Sequence, residues 1–167
     1  MATPAFLLAL QATSVAEFIR GDSARSAWAF PIIETVHVLA LATVYGTIMM
    51  VDLRMLGLTS RQTRVSRLTD ELLPWTWTAF VIAATSGSLL YISKAETYWH
   101  NPQAQAKFIC IALAGVNMFI YHFGVHRRVA EWDLSLPPPA AARLAGGLSI
   151  ALWTAIVFLG RWIGFTT

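Results

Sequence analysis

From Ala27 to Val51 the chain reads AWAFPIIETVHVLALATVYGTIMMV, with Glu34 its only formally charged side chain and His37 its only imidazole. A bilayer core takes about 20 helical residues, and inside it backbone polar groups must be satisfied within the segment. A run of this length and composition is therefore a membrane-spanning helix. Three more runs follow. LLPWTWTAFVIAATSGSLLYI, residues 72–92, carries no charge; FICIALAGVNMFIYHFGV covers 108–125; a fourth covers 144–163, where Arg161 and Trp162 can snorkel and anchor at the interface. The expected architecture is all-α, an integral membrane four-helix bundle forming one transmembrane domain over 1–167, with spans 27–51, 72–92, 108–125 and 144–163.

Hydrophobic residues make up 56% of the 167 and charged residues only 13%, which leaves no stretch for a separate soluble domain. The first 20 residues lack the basic n-region of a signal peptide, so the first span is expected to direct insertion. Phe6, Leu7, Leu10, Ser14 and Phe18 recur at three-to-four spacing between Pro4 and Arg20. That pattern predicts an N-terminal amphipathic helix on the membrane surface or over the bundle mouth. Cys110, the single cysteine, lies in an apolar run and reads as a small hydrophobe.

Net charge is +3, with arginines gathered between spans instead of in a nucleic-acid patch, so membrane lipid is the expected partner and nucleic acid is not. Arg54, Arg61, Arg64 and Arg67 join spans one and two, and Arg127, Arg128 and Arg143 join three and four. The opposite side has Arg20, Arg25, Lys94, Lys107 and Arg161. The positive-inside rule then puts both termini on the outer, periplasmic side of a bacterial cytoplasmic membrane. Trp28, Trp75, Trp77, Trp99, Trp132 and Trp162 fit interfacial belts. Lys107 reads as an interfacial residue, Asp52 and Arg54 as a local salt bridge, and His100 as exposed.

An ionisable pair inside a span needs a partner, a pore or a metal. His37 reads as a haem or metal ligand, as a histidine bonded to Glu34 or Asn117, or as part of a proton path. Glu34-x-x-His37 occurs once, which argues against a di-iron bundle. Gly115, Met118, His122 and His126 form one stripe on span three. Glycine beneath histidine suits a porphyrin, and imidazole is a common axial ligand. Counted from the span ends, His122 lies about 6 Å deeper than His37, while Met118 matches its depth. His126, beside Arg127 and Arg128, reads as interfacial or as holding a haem propionate. Small residues, Ala79, Ala83 and Gly87 on span two and Gly146, Gly147, Ala151 and Ala155 on span four, fit helix contacts.

The Glu34-x-x-His37-x-Leu39 opening and the Asp52-Leu-Arg-x-Leu-Gly57 close, with NMFIYHFGVHRR in span three, resemble a family of small bacterial four-helix membrane proteins of unknown function. The chain is also distantly similar to b-type membrane cytochromes and to the copper-resistance membrane protein family. That resemblance implies at most one haem b, with His37 and His122 as axial pair on the iron and Glu34 and His126 in support. The expected function is electron transfer with a quinone or a membrane redox partner, in a homo-oligomer. A structural or assembly role and copper, ion or proton transport are the alternatives.

Overall fold

The computed structural model describes residues 2–60, 62–134 and 137–166, all of them helix, turn or loop, with no strand among them. Arg61, read as part of the first basic loop, lies outside the described residues. Four long helical stretches are apolar enough to cross a bilayer: Ala29–Met55, Val65–Ser93, Pro102–Trp132 and Ala140–Thr166. We call the first two α3 and α4, and the last α8. The third comprises α6 (Pro102–Ile120), a π-helical turn (Tyr121–Val125), a 3-10 turn (His126–Arg128) and α7 (Val129–Trp132). The chain is a multi-pass, all-α membrane protein.

Each stretch outruns its apolar run. Intrahelical hydrogen bonding continues through the headgroup layer, so charged positions such as Arg54, Arg67, Asp70 and Glu71 remain helical. Pro102 opens α6 without losing a helical bond, and Asn101 caps it by accepting from the Ala104 amide at 3.0 Å. Pro137–Pro139 stand directly before Ala140, the first residue of α8.

The expected single N-terminal helix is two, α1 (Ala5–Gln11) and α2 (Ser14–Arg20). Thr13 breaks the run because its hydroxyl caps α2 by accepting from Ala16 N at 3.3 Å. Gly21, at φ 77°, ends α2 in the left-handed region. Both helices lie over one end of the bundle beside α5 (Ala95–His100). Arg20 ties them down, its Nη1 donating to Gln11 O at 2.9 Å and Ser93 O at 2.8 Å. This is the terminal end, where Asn101 Nδ2 also donates to Thr166 Oγ1 at 2.9 Å. The α3–α4 and α7–α8 connections form the opposite, loop end.

Within the membrane the helices pack in the order α4, α3, α8, α6. Lipid gives apolar side chains no reason to prefer one another, so small residues and interhelical hydrogen bonds set the contacts. Ala40 and Val44 on α3 and Ala79 and Ala83 on α4 are buried. Thr76 donates to Thr47 at 2.8 Å, Tyr45 meets Thr154 at 3.1 Å, and Asn117 donates to Ala145 O at 3.0 Å. The helices α4 and α6 do not pack along one another and meet through the Tyr91 and Phe108 rings, 5.5 Å apart.

At the loop end a small core gathers Met55, Val65, Trp132 and Ala142. Trp132 is 7% exposed, so it belongs to this core and not to the interfacial belt. Trp28, Trp75, Trp77 and Trp162 remain exposed.

Candidate functional site between the four helices

His37 points from α3 at α4. Its Nδ1 lies 2.9 Å from the Ala83 carbonyl and 3.1 Å from Ser86 Oγ. A carbonyl only accepts, so Nδ1 carries the proton, and in the neutral ring Nε2 keeps its lone pair. Ser86 sends its own hydrogen to Ile82 O at 2.6 Å, which leaves its oxygen free to accept from the imidazole. Gly87 supplies the room: a Cβ there would stand 2.8 Å from His37 Cε1. Neither Glu34 nor Asn117 bonds the ring.

A charged side chain, Lys107, stands at a similar distance from the terminal end. Lys107 leans from α6 onto α8, with Nζ 3.2 Å from where a Cβ on Gly160 would be. Its side chain packs against α8, just before the apolar run of α6 begins at Phe108. His37 is eight residues into α3 and Lys107 five into α6, while Gly87 and Gly160 are each six from the ends of α4 and α8. At 1.5 Å per residue all four lie about 7–12 Å from the terminal end. Gly87 leaves room for the His37 ring and Gly160 for the Lys107 side chain. Among the described residues, Lys107 makes no ion pair and no hydrogen bond, while Gln103, one turn earlier on α6, has a buried Oε1 without a partner.

Glu34 is exposed and faces Tyr98 of α5. Burial, and after it the Glu34 carboxylate, raises the Tyr98 phenol above its ordinary pKa. The Tyr98 ring stacks on Tyr91, 5.8 Å between centroids.

The stripe on α6 points elsewhere. Ala114 is buried and Asn117 bonds α8, whereas Gly115, Met118 and His122 are exposed on the outward face. His122 comes fifteen residues after Lys107, so it lies about 22 Å further toward the loop end than the His37 layer. One chain thus does not bring His37 together with His122, nor with Met118. His122 instead stacks on His126, with centroids 5.2 Å apart and planes 14° from parallel, while Tyr121 Oη approaches His126 Nδ1 at 3.4 Å. Among the described residues no group of three or more His, Cys, Asp or Glu is arranged to hold a metal ion.

Asp52 and Arg54 do not pair with each other. Two residues apart on a helix, they face opposite ways. Arg54 is fully buried and ties two loops together, Nε donating to Thr63 O at 2.8 Å and Nη2 to Asp133 O at 3.0 Å. Asp52, 4% exposed, faces Ser149 of α8.

The family match bears on the whole of this arrangement, since it covers residues 12–166 and so includes every residue of the layer. The chain belongs to DUF6644, a family of unknown function. No curated protein and no solved structure matches it. Membership of DUF6644 therefore fixes kinship without assigning chemistry, and the chemistry has to come from the residues.

The sequence pointed to His37 because a histidine inside a span is costly. It gave no such weight to Lys107, Ser86, Gly87 or Gly160. The available signal was spacing from span ends, which puts Lys107 and Gly160 level with His37 once α6 is started at Asn101-Pro102 instead of Phe108.

Proposed function

We propose that the protein is a membrane-embedded b-type haem protein taking part in electron transfer, with His37 as an axial ligand. The observation that carries this reading is the His37 ring, fixed through Nδ1 on the Ala83 carbonyl so that Nε2 is left free inside a membrane bundle. Ligating histidines are commonly held this way, the second nitrogen donating to a carbonyl that sets tautomer and ring orientation. A haem bound there would supply a one-electron couple, whose potential burial and axial ligands tune. Ala83 and Ser86 orient the imidazole and Gly87 leaves room for it.

A second axial ligand from the same chain is not at hand in His122, so a second copy or an exogenous ligand would supply it. The outward stripe of Gly115, Met118 and His122 suits a contact between copies, which favours a homo-oligomer. A quinone or a membrane-bound redox protein is the expected electron partner. The basic loop end supports a bacterial cytoplasmic membrane with both termini outside.

The test is the absorption spectrum of detergent-purified protein, oxidised and dithionite-reduced, with a pyridine haemochrome count. Wild type should give a Soret band and reduced bands at about 560 nm at roughly one haem per chain. His37→Ala should lose the haem while eluting as folded protein. Colourless wild type after expression with a haem precursor sinks the reading and leaves a structural or transport role.

A further inference from the structure

The loop end of α3 buries two ionisable side chains, and each keeps one polar atom without a partner, Asp52 Oδ2 and Arg54 Nη1. Arg54 is compensated by the Thr63 and Asp133 carbonyls, to which it donates. Asp52 has no counterpart to these. Among the described residues the ion pairs are Arg20–Asp22 and Arg67–Glu71, and neither involves Asp52.

Asp52 is closed in where α8 crosses this turn of α3. A Cβ on Gly146 would stand 3.1 Å from the Asp52 carbonyl oxygen and 3.3 Å from Met55 Cβ, so the bare glycine lets the two helices meet here. Ser149, one turn further along α8, is the hydroxyl that faces the carboxyl. On the third stretch the titratable group toward it is the Tyr121 phenol, which packs on the Met55 core and approaches His126 Nδ1 at 3.4 Å. The charged residues at this end of α4, Arg67, Asp70 and Glu71, are exposed at the surface, and so is Arg143 of α8. A carboxylate cut off from water without a counter-charge is far costlier to bury than the neutral acid with one unpartnered oxygen. A bound proton removes that charge and needs no cavity, whereas a metal ion would need several oxygens around it.

We propose that Asp52 is a proton-binding site of the bundle, loaded from the loop end and holding its proton at neutral pH between α3 and α8. It stands three residues from the end of α3, and Ser149 is the hydroxyl that positions the acid. Asp52 is fifteen residues along α3 from His37, about 22 Å, so the site does not rest on the haem reading.

The experiment is infrared spectroscopy of the protein in lipid bilayers, comparing water with heavy water over a pH series. At neutral pH wild type should show a protonated-carboxyl C=O band that moves to lower frequency in heavy water, while the other carboxyls, which ordinarily titrate at about 4, are ionised. Asp52→Asn should lose that band. Ser149→Ala should keep it at a shifted frequency, because the hydroxyl facing the acid is gone. Sodium chloride added at constant pH should leave the wild-type band in place. A wild type without the band at neutral pH, or an Asp52→Asn spectrum with the band undiminished, overturns the proposal. Displacement of the band by sodium would make the occupant a metal ion and overturns the proton. If Asp52→Asn fails to fold, Ser149→Ala decides, since an unshifted band would put the proton elsewhere.

Discussion

Gly87 and Gly115 are both helical glycines in spans, yet their surroundings predict opposite outcomes for the same substitution. A methyl at Gly87 would meet His37 Cε1 at 2.8 Å, while one at Gly115 would meet nothing within 4 Å. Gly87→Ala must push the imidazole off the Ala83 carbonyl or spread α3 from α4, and overpacking of this kind costs about 1–3 kcal/mol. Thermal unfolding in detergent should show that loss, and haem content should fall with it. Gly115→Ala should stay within about 0.5 kcal/mol of wild type, as outward positions do. Equal effects at the two glycines would mean that His37 does not pack as described. At this scale the sequence carried half of the site. His37 was legible because an ionisable group in a span is expensive, whereas its partners were not. Ala83, Ser86 and Gly87 lie 46 to 50 positions away and are unremarkable in composition until the two helices are laid side by side.

At the scale of elements, α4 begins without a cap of its own, since Arg64 offers no side-chain bond. Asp133, from the turn after α7, does that work across the chain, accepting from Ser66 N at 2.8 Å and Ser66 Oγ at 2.6 Å. Its backbone carbonyl takes Arg54 Nη2 as well. Burial opposes the Asp133 charge, but the Ser66 hydroxyl and amide, the Arg64 guanidinium and the Val65 amide outweigh it and hold the carboxyl below its ordinary value. A carboxylate depressed in the folded state stabilises fully above its unfolded pKa of about 4, and the benefit is lost as pH falls through the lower folded value. The melting temperature of wild type should therefore decline over that acidic window, with Asp133→Asn showing a shallower decline. At neutral pH Asp133→Asn should be less stable by about 1 kcal/mol, the usual worth of a cap. Parallel acid limbs for the two proteins would remove Asp133 from the account.

The direction in which helices face was the least legible feature at this scale. The Gly115, Met118, His122 spacing correctly marks one face of α6, but periodicity does not say whether that face meets protein or lipid. In water an apolar stripe must turn inward. In a bilayer both surroundings are apolar, so the stripe carries no such instruction, and the inward face of α6 is marked instead by Ala114 and by Asn117, whose amide needs the Ala145 carbonyl. Helix ends were blurred for a related reason, because hydropathy marks the hydrocarbon and backbone bonding runs past it.

For the molecule as a whole, four spans could be read directly from four apolar runs, and the packing order α4, α3, α8, α6 could not, since it depends on which small faces meet. The proposed orientation rests on charge: the loop end carries Arg54, Arg64, Arg67, Arg127, Arg128 and Arg143, and the positive-inside rule keeps basic residues of short loops on the cytoplasmic side. Cys110 is the single cysteine, so replacing it by alanine gives a background in which one introduced thiol reports one location. Thr3→Cys lies at the terminal end, and Thr59→Cys, exposed in the α3–α4 connection, lies at the loop end. In intact cells a membrane-impermeant maleimide should label the first and spare the second, with both labelled once the membrane is broken. The reverse pattern would put the basic loops outside, and would place the His37–Lys107 layer nearer the cytoplasmic face, where its electron partner would then have to be sought.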